Sequence, residues 1–231
     1  MSMNLIFKLL KKINPKSTTK FFHKSYAQSG EDMILDTIFG HLSHGYYVDV
    51  GAHDPFFQSN TQYFYEKGWT GINIDANEDS IKMLSKIRKR DKNILAFISN
   101  EEREFDFYIY EKSPYSSCFY RSDIPSKIKK IKKVKSVRLE KIFEQEKIKN
   151  INFLSIDTEG NDFNVLLSFD IKKIRPQIII VESFCYNIFD DLNTEITKYL
   201  RDNDYFYFCK TVTNTFYISK EFAYERFKIQ I

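Results

Sequence analysis

An α/β fold with a mostly parallel, doubly wound sheet and helices on both faces is predicted by three features of this 231-residue sequence. Short apolar runs alternate with helical segments, as they do in consecutive βαβ units. Four of these runs end in a carboxylate. Five of the seven glycines fall in the turns between elements, where backbone freedom is needed.

The order of the elements follows from hydrophobic period and turn residues. Parallel strands are predicted at 46–50, 72–75, 94–98, 151–157 and 177–182. An exposed strand pair is predicted at 104–110 and 134–138, and a hairpin at 205–210 and 216–219 closes the sheet with an antiparallel edge. One helix is predicted to begin at Ser29, with Asp32 completing a capping box. The other helices are predicted at 61–67, 77–90, 139–146, 161–168 and 193–201.

The composition, with 42% hydrophobic and 16% aromatic residues, is that of a globular protein. A net charge of +4 gives no general case for a nucleic-acid partner. Lysines between 127 and 135 form a basic cluster, which is either a solvated surface segment or an electrostatic guide for a phosphate-bearing acceptor. The three cysteines form no C-x-x-C pair, which favours a reduced, cytoplasmic location.

The first 24 residues form a basic segment with an apolar patch from Leu5 to Leu10. The patch is too short to span a bilayer, and no small-residue cleavage site follows it. This segment has three alternative roles: a helix packed on the domain, a frayed terminus or a peripheral membrane contact. Residues 25–231 are predicted to form one domain, with an acceptor-binding insertion at about 111–133.

The stretch GYYVDVGAHDP at 45–55 is the most informative part of the chain. Its apolar strand leads through Asp49 into a turn at Gly51, and the next strand ends at Asp75, 26 residues after Asp49. In open α/β sheets the second carboxylate takes the ribose hydroxyls of an adenosine-containing cofactor. The loop lacks the further glycines that a dinucleotide's pyrophosphate requires, so the pattern favours S-adenosylmethionine.

Five ordered motifs extend this pattern: YAQSGED at 26–32, VDVGAHDP at 48–55, SNT at 59–61, GWTGINIDAN at 68–77 and SIDTEG at 155–160. With these motifs the chain resembles the FkbM-type S-adenosylmethionine-dependent methyltransferases from Tyr26 to about Glu182. It departs from the commonest pattern of that family at His53, Pro55 and Ser155, and therefore resembles a branch of it.

The resemblance implies a class I methyltransferase fold and O-methylation, often of sugars or secondary metabolites. It places Asp49, Gly51 and Ala52 at the methionine end of the cofactor and Asp75 at the ribose hydroxyls. The other cofactor contacts that it implies are Gln28, Glu31, Asn60, Thr61, Ala76, Asn77, Ser99, Asn100 and Asp157. For Gln28 and Glu31, helix capping and a surface pair are the alternative roles.

Methyl transfer to oxygen needs an aligned acceptor and a base for the hydroxyl proton. The candidate bases are Asp157, His53 and Glu159, and Asp157 is the first choice because it lies at a strand mouth. In an alternative arrangement, Mg²⁺ or another divalent metal ion lowers the pKa of the hydroxyl. The candidate ligands for that ion are Asp157, Glu182 and Asp162.

The acceptor is expected to contact Tyr115, Ser116 and Arg121, unless this aromatic segment packs on the core. The predicted function is S-adenosylmethionine-dependent O-methylation of a nucleotide-linked or phosphorylated sugar in surface polysaccharide or glycan biosynthesis. The alternatives are an NAD-dependent sugar oxidoreductase or epimerase and a non-catalytic binding subunit. Two apparent edge strands at the C-terminus would suit a homodimer.

Overall fold

The structure, a computed structural model, describes residues 23–111, 116–117 and 127–228. The predicted N-terminal segment therefore lies outside the described residues, apart from its last two positions. Within the described ranges, no helix is long and apolar enough to cross a membrane.

The strands and helices alternate along most of the chain. The strands are Tyr46–Val50 (β1), Thr70–Asp75 (β2), Lys92–Leu95 (β3), Phe97–Ile98 (β4), Glu104–Tyr110 (β5), Ser116–Ser117 (β6), Ile128–Val137 (β7), Phe153–Ile156 (β8), Ile178–Glu182 (β9), Tyr205–Lys210 (β10) and Asn214–Ser219 (β11). The helices are Glu31–Phe39 (α1), Gln62–Glu66 (α2), Glu78–Ile87 (α3), Leu139–Gln145 (α4), Asp162–Leu166 (α5), Ile188–Asp191 (α6), Glu195–Asp202 (α7) and Lys220–Phe227 (α8).

The main sheet has seven strands in the order β10-β11-β9-β8-β1-β2-β3 among the residues that the structure describes. The five strands from β9 to β3 pair in parallel, and β11 pairs antiparallel with both β9 and β10. The predicted mostly parallel sheet with an antiparallel C-terminal edge is confirmed. From β1 the chain adds β2 and β3 on one side of the sheet and later β8 and β9 on the other side. Ligands bind in open α/β folds at such a point of reversal, here beside β1.

Both faces of the central strands are buried, which suits parallel strands covered by helices. Val48 and Leu154 pack in a cluster on one face of the sheet. Their chain neighbours Tyr47 and Phe153 pack in a second cluster on the opposite face. The two layers of helices thus enclose the sheet and leave its carboxyl edge for the loops.

The basic cluster belongs to the second sheet, in the order β4-β7-β5-β6. All but the first of its lysines lie on the long strand β7, which pairs antiparallel with β5. The end of the expected insertion, 128–133, therefore belongs to a strand, whereas most of the rest lies outside the described residues. The predicted strand at 94–98 divides at Ala96 into β3 in the main sheet and β4 in the second sheet.

Several local features differ from the predictions. Gly30, with φ 84°, precedes α1, and the Ser29 side chain does not cap it. Ile87 is exposed although it lies on the predicted apolar face of its helix. β11 is paired on both sides, so only one of the two C-terminal strands, β10, is an edge. The helix α8 follows β11 directly and was not predicted.

Candidate active site

A cleft of about 940 Å³, including its open mouth, lies at the carboxyl edge of the main sheet. The loops after β1, β2 and β8 form its inner walls, and side chains of β4 and β5 form its outer wall. Its lining residues are 49–53, 57–60, 74–77, 80, 96–98, 107, 155 and 157–159.

Gly51 brings the loop after β1 against the loop after β8. Its φ is 88°, in the left-handed region that favours glycine. A Cβ atom at this position would lie 1.7 Å from the carbonyl oxygen of Asp157. The backbone amides of Gly51 and Ala52 both donate to the carbonyl oxygen of Ile74, at 2.9 and 3.1 Å. Only glycine therefore allows the three strand ends to approach this closely.

Two backbone amides hold the Asp75 carboxylate at the end of β2. The His53 amide donates to Oδ2 at 2.9 Å, and the Asn77 amide donates to Oδ1 at 2.7 Å. His53 itself has a positive φ of 42°, an uncommon conformation for a residue with a side chain. Its ring nitrogen Nδ1 lies 3.5 Å from the Ser80 hydroxyl. Burial raises the pKa of Asp75.

Asp49 is buried in the floor of the cleft. Its Oδ2 accepts a hydrogen bond of 2.9 Å from the Thr61 hydroxyl. Burial raises the pKa of Asp49 to about 6, while the Thr61 and Ser155 hydroxyls and the Arg88 charge oppose the rise. The ionised carboxylate is therefore costly at neutral pH unless a cation approaches it.

Asp157 follows β8 at the same edge. Burial raises its pKa well above the ordinary value. The carboxylates that raise it further are Asp162, Glu159, Asp49 and Asp75. A carboxylate with such a raised pKa is a stronger base than an ordinary aspartate.

Three acidic side chains converge beside Asp157. Asp157, Glu159 and Glu182 each offer a carboxylate oxygen, and these oxygens lie within 4.8 Å of one another. The predicted third ligand Asp162 is not in this group, because its Oδ1 accepts hydrogen bonds from the amide and hydroxyl of Thr158 at 2.8 and 2.9 Å. Of the predicted metal ligands, the structure thus brings Asp157 and Glu182 together and adds Glu159.

One end of the cleft is apolar. The second sheet contributes Phe97 and Ile98 from β4 and Phe107 from β5. The rings of Phe97 and Phe107 lie 6.3 Å apart, and both belong to a buried cluster with Phe105. The cleft therefore joins an acidic end to an aromatic end.

The structure brings together most of the residues predicted to form the site. The predicted residues that line the cleft are Asp49, Gly51, Ala52, His53, Asn60, Asp75, Ala76, Asn77, Asp157 and Glu159. Thr61 lies behind the wall, where it contacts Asp49. Tyr115 and Arg121 lie outside the described residues, and only the strand backbone of Ser116 is described.

Gln28, Glu31, Ser99 and Asn100 do not line the cleft. Gln28 is exposed, whereas Glu31 is fully buried and accepts hydrogen bonds from the turn between β10 and β11. The Ser99 amide donates to the carbonyl oxygen of Val137 at 3.1 Å, which directs the chain after β4 along the second sheet. The N-terminal motif at 26–32 instead supports the loop between β1 and α2, because the Ser59 amide donates a hydrogen bond of 3.1 Å to the Tyr26 carbonyl oxygen.

Several lining residues were not predicted, among them Phe57, Ser80, Phe97 and Phe107. Phe97 and Phe107 reach the cleft because β4 leaves the main sheet, and no local pattern indicates such a division. Among the described residues that line the cleft, none is a lysine or an arginine. The acidic end therefore suits a cation better than a phosphate.

A comparison with family models decides the identification. The model described as "Methyltransferase FkbM domain" matches residues 49–207 of the chain. The chain belongs to the FkbM methyltransferase family. The match begins at Asp49, and every lining residue of the cleft falls within it. Methyltransferases of this family use S-adenosylmethionine in general. A comparison with curated proteins gives no match.

Proposed function

We propose that this FkbM family member transfers a methyl group from S-adenosylmethionine to a hydroxyl of a nucleotide-linked or phosphorylated sugar. One observation supports the choice of methyl donor above the others. The cleft joins carboxylates of raised pKa to an aromatic end, and no lysine or arginine lines it among the described residues.

The donor's charges fit this arrangement. S-adenosylmethionine carries a sulfonium and an ammonium group against a single carboxylate, so its net charge is positive, and either cation offsets the repulsion among the carboxylates of the cleft. NAD carries a pyrophosphate, which would face the same carboxylates without a compensating cation. The aromatic end, with Phe97 and Phe107, offers apolar surface to an adenine ring. Asp75 remains the candidate for the ribose hydroxyls, since each of its oxygens has a lone pair beyond the one used by a backbone amide.

Asp157 is proposed to accept the hydroxyl proton of the acceptor. When bound, S-adenosylmethionine supplies a sulfonium methyl group that needs no further activation. The Asp157 carboxylate would orient the acceptor hydroxyl and take its proton as the new O–CH₃ bond forms and the S–CH₃ bond breaks. Glu159 and His53 line the same cleft and are the alternative bases.

A divalent metal ion is the second way to activate the hydroxyl. The convergence of Asp157, Glu159 and Glu182 is the observation that favours it, because Mg²⁺ prefers carboxylate oxygens. On that alternative these residues would hold the ion and Asp157 would not be free to act as the base. The two alternatives differ in their response to a chelator.

The acceptor's phosphate is assigned to strand β7. Lys132 pairs directly with Phe107 and Lys130 with Ile109, so both lysines lie on the face of β5 and β7 that carries the cleft residue Phe107. The Lys132 ammonium lies 4.0 Å from Glu78 at the start of α3, next to the cleft residue Asn77. Together the two lysines would attract a phosphate-bearing acceptor to the cleft mouth.

The test is methyl transfer from labelled S-adenosylmethionine to a panel of sugars, sugar phosphates and nucleotide sugars. We expect transfer to phosphorylated acceptors, and a kcat/KM that falls about tenfold or more in a Lys130→Glu/Lys132→Glu variant. A Lys172→Glu/Lys173→Glu variant controls for net charge. Equal transfer to neutral and phosphorylated sugars would contradict the acceptor class. Loss of activity with EDTA that added Mg²⁺ restores would favour the metal over Asp157 as the activating group.

A further inference from the structure

A completely buried arginine lies behind the cleft. The Arg88 side chain follows α3, is 0% exposed, and extends towards the loop from Gly51 to Thr61. A buried arginine is costly unless its donors are used, so its partners indicate its role.

Three of the four hydrogen bonds from the Arg88 guanidinium go to this loop. Nη2 donates to the carbonyl oxygen of Pro55 at 2.9 Å and to the Ser59 hydroxyl at 3.0 Å. Nη1 donates to the Thr61 hydroxyl at 3.4 Å and to the Tyr47 hydroxyl at 3.1 Å. The guanidinium therefore contacts the middle of the loop and its far end at the same time.

The ion pair of Arg88 with Asp91 does not account for this arrangement. The two groups are 3.7 Å apart, which is longer than the bonds to the loop. Asp91 also accepts hydrogen bonds from Tyr47, Gly71 and Asn73, at 2.6, 3.0 and 3.0 Å. Asp91 thus has three neutral hydrogen-bond donors besides the charge of Arg88, whereas the carbonyl oxygen of Pro55 accepts its bond from Arg88.

The contacts continue into the cleft through Thr61. The Thr61 hydroxyl, which accepts from Arg88, donates in turn to the Asp49 carboxylate at 2.9 Å. Ser59, which accepts from Arg88, and its neighbour Asn60 line the cleft. A displacement of Arg88 would therefore move the wall and the floor of the cleft together.

We propose that Arg88 is a positioning residue of the cofactor site, which fixes the loop from Gly51 to Thr61 and, through Thr61, the orientation of the Asp49 carboxylate. The inference rests on the proposed function only in treating the cleft as the S-adenosylmethionine site. The planar fork of arginine is suited to this role because it serves several acceptors in fixed directions, which a lysine ammonium cannot do.

The test compares Arg88→Met and Arg88→Lys with Arg175→Met. Arg175 serves as the control, because it is a partly buried arginine, 24% exposed, that donates to Asn203 and Glu221 near the amino end of β9, away from the cleft. Amide hydrogen exchange of residues 51–61 is measured without ligand, and affinity for S-adenosylhomocysteine is measured by calorimetry.

We expect faster loop exchange and an affinity about 10- to 100-fold weaker in Arg88→Met, and a partial recovery of both in Arg88→Lys. Arg175→Met should lower the melting temperature without changing either quantity. Loop exchange and affinity in Arg88→Met that match those of Arg175→Met would overturn the inference.

If Arg88→Met does not fold, the pair Thr61→Val and Thr61→Ser is decisive together with Arg88→Lys. Thr61→Val removes the hydroxyl at nearly constant shape and should weaken the affinity, whereas Thr61→Ser should keep it. The inference would be contradicted if Thr61→Val, Thr61→Ser and Arg88→Lys all bound S-adenosylhomocysteine as tightly as the wild type does. A wild-type protein that binds neither adenosyl compound would refute the proposed function, while the loop exchange would still decide the role of Arg88.

Discussion

Gly51 is the residue at which the cleft leaves no room for a side chain. Gly51→Ala adds a Cβ atom 1.7 Å from the Asp157 carbonyl oxygen, so one of the two loops must move. Gly68 is a matched control, since its φ of 96° is similarly left-handed but no atom lies within 4 Å of its added Cβ.

Gly68→Ala should therefore cost only the left-handed backbone penalty, about 1–2 kcal/mol. Gly51→Ala should cost more in urea unfolding and should also abolish binding of S-adenosylhomocysteine. Equal losses of stability with intact binding in both variants would show that the close approach of the two loops is not required.

Asp157 is the residue proposed to accept the proton of the acceptor hydroxyl. Asp157→Asn removes the base, so kcat at saturating S-adenosylmethionine should fall about 10²- to 10⁴-fold. Because burial and neighbouring carboxylates raise its pKa well above the ordinary value, wild-type kcat should decline on the acid side at a correspondingly raised pH. Single-turnover rates over a pH series measure both. A kcat that survives the substitution would move the base to Glu159 or His53.

The β5–β7 pair is the element that builds the aromatic end of the cleft. Phe105 and Phe107 both point into the buried cluster with Phe97, but only Phe107 lines the cleft. Phe105→Ala and Phe107→Ala should each destabilise the protein by about 3–5 kcal/mol. Only Phe107→Ala should also weaken S-adenosylhomocysteine binding, measured under conditions in which both variants are folded. Equal weakening in the two variants would mean that the ring contributes only through packing of the second sheet.

At the level of strands and helices, the sequence predicts those residues of the cleft whose position depends only on a local sequence pattern. Asp49, Asp75 and Asp157 were found because each follows an apolar run, and parallel strands place such ends at one edge of the sheet. The contributions of Phe97, Phe107 and Arg88 were not found, because they depend on which strands leave the sheet and on what lies behind the loop. Glu31 is a different case: the resemblance implied a cofactor contact, with helix capping as an alternative, whereas its carboxylate ties α1 to the C-terminal hairpin.

For the whole molecule, Asp49 links stability to pH. Its folded pKa of about 6 exceeds the unfolded value near 4, so its contribution to stability is present below pH 4 and is lost as pH rises through about 6. Asp49→Asn should therefore match wild type near pH 4 and be more stable near pH 7.5, by about 2–3 kcal/mol.

The same substitution should weaken cofactor binding, because a neutral amide does not attract a cation. Urea unfolding at the two pH values and calorimetric titration measure the two effects. A variant that is less stable than wild type by the same margin at both pH values would contradict the raised pKa of Asp49.

The central claim is that an acidic cleft at the carboxyl edge of this sheet binds S-adenosylmethionine. The most direct measurement is calorimetric titration of the protein with S-adenosylmethionine, S-adenosylhomocysteine and NAD, with and without Mg²⁺. We predict micromolar binding of both adenosyl compounds and none of NAD. Binding of NAD in their place, or of none of the three, would contradict the claim.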